Sequence, residues 1–72
     1  MEKSFYYMVD PDEVDEYKKI LDLMNIPYEI EVPVALLQIG SDQRIIAFPE
    51  VPVRLYSMIR KLFKRDGLPY PK

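Results

Sequence analysis

The period of the hydrophobic positions changes along the chain, and each change predicts an element. Ser4 to Val9 is an unbroken apolar run, Phe5-Tyr6-Tyr7-Met8-Val9, which predicts a strand apolar on both faces. Beyond it, Val14, Tyr17, Ile20, Leu21 and Met24 recur at helical spacing and form one apolar face. The start of that helix is written in Asp10-Pro11-Asp12-Glu13: an Asp at the N-cap, a proline at the first turn, and a Glu at capping-box spacing. Its end falls near Asn25, because Pro27 biases Ile26 to extended geometry. Tyr28, Ile30 and Val32 then alternate with Glu29 and Glu31, the pattern of a half-exposed strand.

Pro33 interrupts that strand and marks an edge, a bulge or a bend, after which Val34 to Ile39 is continuously apolar. Gly40-Ser41-Asp42-Gln43 predicts a turn and Arg44 to Phe48 a returning strand that Pro49 ends. Pro52 opens a second helix, expected to run to about Arg65. Leu55, Tyr56, Met58, Ile59, Leu62 and Phe63 share one side of it, and Arg54, Arg60, Lys61, Lys64 and Arg65 the other. Gly67 occupies the place of a helix-terminating glycine, with Leu68 positioned to touch Phe63 as a Schellman motif prefers.

The order β-α-β-β-α predicts one α+β (α/β) domain over residues 1–67 and an extended tail over 68–72. A right-handed crossover should set the first two strands as a parallel pair, so that the sheet is small and mixed, with both helices on one face. The other face is then bare, and Tyr6, Met8, Leu37 and Phe48 are its candidate contact residues for a dimer or a partner.

Seventy-two residues without a single Cys or His narrow the functional classes. Ser–His and Cys nucleophiles are impossible, and neither a thiolate nor an imidazole is present for zinc. The two glycines form no phosphate-binding loop. Glu29 and Glu31 read as the polar side of a strand before they read as oxygen ligands for a metal. The expectation is therefore no enzyme, no cofactor and no metal. A chain this short buries roughly 60% of its unfolded surface, and its core supplies only about 3–5 kcal/mol. With no disulfide or zinc to staple it, association with a partner or with itself is the remaining device. Cysteine absence also fits a cytoplasmic location, and no apolar run reaches the length of a membrane span.

The net charge of -2 hides an asymmetry. Residues 1–32 carry nine acids and three bases; residues 33–72 carry three acids and seven bases. Arg54, Arg60, Lys61, Lys64 and Arg65, flanked by Tyr56 and Phe63, could follow a phosphate backbone or meet an acidic protein. The acidic first helix of one copy could equally steer toward the basic second helix of another. The reading that follows is a non-enzymatic protein-interaction or regulatory module, homodimeric, using the open sheet face and the basic helix. Nucleic-acid binding through residues 52–65 is the alternative.

Two family patterns overlie this reading. The segments MVDPDEVDEYKKILDLMNIPYEIE and QRIIAFPEVPVRLYSMIRKL resemble small prokaryotic putative signal-transducing domains, in which a helix opens after a D-P-like start and a second helix follows a V-P-E-E-like strand end. Here Asn25 stands for the usual glycine, and Phe48-Pro49-Glu50 for the second motif. That resemblance implies a fold rather than a role. ILDLMNIPYEIEV and VPVALLQIGSDQRIIAF are similar to glutaredoxin and thioredoxin passages around the cis-proline, with Pro33 in the proline's place. Without cysteine, this second resemblance implies a truncated, redox-inactive adaptor with a cis Val32–Pro33 bond. A short chain of this kind also suits an accessory protein of a virus or mobile element.

Overall fold

The computed structural model describes residues 2–31 and 43–70. The expectations for Pro33, Leu37, the 34–39 strand and the Gly40 turn lie outside the described residues. The elements are β1 (Lys3–Val9), α1 (Pro11–Leu23), β2 (Glu29–Glu31), β3 (Arg44–Pro49), α2 (Val53–Phe63) and β4 (Leu68–Pro69). The chain is an α+β domain with the β-α-β-β-α order written in its sequence, extended by the short β4.

The sheet order is β2-β3-β1-β4, and every neighbouring pair is antiparallel. β1 and β2 do run in the same direction, but they are not the expected parallel pair, because β3 lies between them. Burial explains the insertion. Ile46, Ala47 and Phe48 of β3 are all fully inaccessible, as residues of a central strand paired on both edges can be. Tyr7 and Ile30 flank Ile46 from either side on one face of the sheet.

That face carries the core. Phe5, Tyr7 and Val9 of β1 pack with Ile46 and Phe48 of β3, Leu21 of α1, and Ile59 and Phe63 of α2. The Phe63 ring stacks on Tyr7, with centroids 4.1 Å apart, and on Tyr17 at 4.4 Å. One ring thereby joins β1, α1 and α2, and both helices lie on the same face of the sheet. Phe48 belongs to this buried layer, so its expected place on the bare face is corrected: pairing with Phe5 aims it beneath the helices.

The helix ends show how local chemistry fixes the turns. At the start of α1 the Glu13 carboxylate accepts the Asp10 amide at 3.4 Å, and the Glu13 amide donates to the Asp10 carbonyl at 2.9 Å. The end of α1 is a complete Schellman motif. Asn25 takes a left-handed φ of 57°, its amide bonds to the Asp22 carbonyl at 3.1 Å, and the Ile26 amide bonds to the Leu21 carbonyl at 3.0 Å. Both Leu21 and Ile26 are buried in the core, which supplies the motif's hydrophobic contact.

The expected end of α2 is corrected. The helix stops at Phe63, and Lys64, not Gly67, takes the left-handed conformation, with φ 63°. Gly67 serves close packing instead: a Cβ there would lie 2.6 Å from the Phe5 ring. Leu68 pairs with Tyr6 in β4 and is about half exposed.

Candidate functional site

Two surfaces follow from this architecture: the sheet face turned away from the helices, and the outer face of the helix layer. A register shift between Lys3 and Phe5 shapes the first. Strict alternation would place Lys3 on the same face as Phe5 and Tyr7. The bulge instead pairs Lys3 with Pro49 and brings its side chain to the open face. There the Lys3 ammonium meets Glu29 at 2.7 Å and also Glu31. The Tyr70 hydroxyl donates to both Glu31 carboxylate oxygens, at 2.8 and 3.0 Å. Lys3 also sits 5.3 Å from the centre of the Tyr70 ring, and Tyr6 packs against that ring edge-on.

The electrostatics are reciprocal. Hydrogen bonds to Glu29 and Glu31 raise the Lys3 pKa above the usual lysine range. The Lys3 hydrogen bond, helped by Tyr70, holds the Glu31 carboxyl below its ordinary value against a smaller desolvation effect. Donation to Glu31 raises the Tyr70 phenol. Glu29 and Glu31 therefore converge on an ammonium from their own chain. Among the described residues, no group of three or more His, Cys, Asp or Glu could hold a metal ion.

Tyr6 and Met8 lie half-buried on this face, across from Ala47 and Ile45. The sheet face expected to be a bare apolar patch is thus crossed by a charged cluster that satisfies its own partners. The cluster also ties the segment after α2 to the sheet, since it joins Tyr70 to strands β1 and β2.

On α2 the five basic residues divide. Arg65 folds back over β1: its Nη2 donates to the Met8 carbonyl at 2.5 Å, and its guanidinium lies 5.7 Å from the Tyr7 ring centre. The Tyr7 hydroxyl in turn donates to the Arg65 carbonyl at 3.0 Å. Burial, with Tyr56 and Asp66 nearby, pushes the Tyr7 phenol up to about 12. Arg60 pairs with Asp66. Tyr56 is half-buried, packs edge-on against Phe5 at 5.1 Å, and accepts the Gly67 amide at 3.2 Å, so its ring is committed to the fold. The side chains of Arg54, Lys61 and Lys64 are exposed and make no hydrogen bond or ion pair among the described residues.

Of these cations, Lys64 borders a groove between the helices. Glu13, Glu16, Tyr17 and Ile20 of α1 line it with Leu62 and Lys64. Leu23 at the end of α1 is 84% exposed, and Met58 on α2 is 39% exposed. Leu23 carried no signal of function in the sequence, where it sits among alternating acids and apolar residues. Placing it on the stripe Glu13, Glu16, Ile20, Leu23 by helical spacing would have found it.

The fold is thus a small α+β domain whose described pockets are surface grooves. Comparison with protein-family models, with curated proteins and with solved structures returns no match in any of the three. Neither resemblance noted in the sequence gains a relative from them. No helix among the described residues is long and apolar enough to cross a membrane.

Proposed function

We propose that this chain is a non-enzymatic protein-interaction module that docks through the outer face of its helix layer. One contrast carries the reading. Lys3, Glu29, Glu31 and Tyr70 on the sheet face satisfy one another, whereas the Arg54, Lys61 and Lys64 side chains face solvent with no partner among the described residues, Arg54 and Lys61 on the same stripe as the exposed Met58. Cations around an apolar centre suit an acidic protein surface with an apolar anchor, where charge steers the encounter and the anchor supplies most of the affinity. Because Tyr56 is engaged with Phe5 and Gly67, the helix lacks the free aromatic platform with which single-stranded nucleic acids are held. Glu13 and Glu16 on the same groove would also repel a phosphate backbone.

The test is affinity capture with the tagged chain, with and without nuclease, comparing wild type with K61E/K64E. Protein recovery that survives nuclease and is lost in the variant is the expected result. Recovery that disappears with nuclease would replace this reading with nucleic-acid binding.

A further inference from the structure

The chemistry of the helix layer is self-complementary. Because α1 returns from the end of β1 and α2 leaves the end of β3, the two helices run antiparallel across the sheet. Tyr17 stacks on Phe63, and Glu13 and Glu16 share the groove with Leu62 and Lys64. The acidic first half of α1 and the basic last half of α2 therefore lie at the same end of the layer. No ion pair joins them within the chain among the described residues. Helical spacing aligns Glu13, Glu16, Ile20 and Leu23 on one stripe of α1, and Arg54, Met58 and Lys61 on one stripe of α2.

We propose that the occupant of this surface is a second copy of the chain. The copies would be related by a two-fold axis running along the groove, parallel to the helices. That operation lays each α1 on the α2 of the other copy with like ends matched. Asp12, Glu13 and Glu16 then oppose Lys61 and Lys64, while Ile20 and Leu23 meet Met58 and Leu62. Every contact is made twice, as an isologous interface requires. The pairing covers Leu23, whose exposure in a lone chain has no compensating contact. It also gives a small core without disulfide or zinc the association it lacks. This inference rests on the interaction-module reading and names its partner.

The experiment is sedimentation velocity on the full chain at low and high salt. It compares wild type, K61E/K64E, D12K/E16K (which spares the Glu13 cap) and an equimolar mixture of the two variants. Wild type should dimerise, with an affinity that falls roughly tenfold as salt screens the exposed pairs. Each variant alone should be monomeric, since its two helices carry like charge. The mixture should restore a one-to-one heterodimer, which also shows that both variants fold. A wild-type monomer, a dimer indifferent to both reversals, or a mixture that stays monomeric while both variants keep wild-type circular dichroism would overturn self-pairing. A monomer that still captures a protein through Lys61 and Lys64 would leave the interaction reading standing without this partner; failure of both experiments would remove both.

Discussion

Gly67 and Asn25 do different work at superficially similar places. Gly67 follows the second helix at a distance where a terminating glycine is often found, yet its role is proximity to Phe5. Substituting alanine forces the stacked Phe5 ring to move, so G67A should lower stability by about 1–3 kcal/mol in chemical denaturation. Wild-type stability in that variant would contradict the close approach. Asn25 could be read as a helix exit because Asn tolerates left-handed backbone and Pro27 follows it. Lys64 could not, since nothing about a lysine announces a positive φ. N25A should cost about 1 kcal/mol by straining the Schellman turn, and N25G should not.

The titrating side chains give residue-scale tests with definite signs. Glu31 is held below its ordinary value in the folded chain. Its contribution is present above that ordinary value, 4.5, and is lost as pH falls through the lower folded one. The effect on stability is small because the half-buried carboxylate stays in contact with solvent, which screens the pair. The local effect is larger: Tyr70 should detach from the sheet on acidification, seen as movement of its ring NMR signals toward those of E31Q. A Tyr70 signal that does not follow Glu31 protonation would count against the cluster. Tyr7 behaves in the opposite sense. Its raised phenol contributes stability fully below 10.0, and that contribution is lost as pH rises toward about 12. In an alkaline absorbance titration Tyr7 should ionise late, and Y7F should remove that late step.

At the scale of elements, kinds and order were legible while pairing was not. The capping box, the helical spacing of Val14 to Met24, and the alternation around Ile30 each arise from local chemistry, which a sequence carries. Neighbourhood in the sheet arises from which strand needs cover on both faces. The clue was the unbroken Ile45-Ile46-Ala47-Phe48, more consistently apolar than any other described strand except β1. A rule based on crossover connections favoured β1 beside β2 instead. The missed register had a direct consequence for the candidate site. Phe48 could not be assigned to the core face, and the bulge that delivers Lys3 to Glu29 and Glu31 left no mark in composition. The basic stripe of α2 was legible, but not its division, because Arg65 reaches Met8 across a distance in sequence that no helical period encodes. That contact covers part of β1 beyond the short β4, where an edge would otherwise be open. R65M should accelerate amide exchange at the end of β1, while unchanged protection there would show that the edge needs no such cover.

For the whole molecule, the two faces of the sheet have separate assignments. The face away from the helices closes on itself through Lys3, Glu29, Glu31 and Tyr70. Among the described residues no ion pair joins the acids of α1 to the bases of α2, and Leu23 and Met58 are left exposed. This distribution favours docking on the helix side, and the same reasoning disfavours the sheet side, where a partner would first have to break satisfied contacts. The most direct measurement is the change in amide chemical shifts as the concentration of the wild-type chain is raised. The account expects perturbations along residues 12–23 and 54–64, with Lys3, Glu29, Glu31 and Tyr70 unmoved. Perturbations centred on those four residues and on Tyr6 and Met8 would contradict it and move the interface to the sheet.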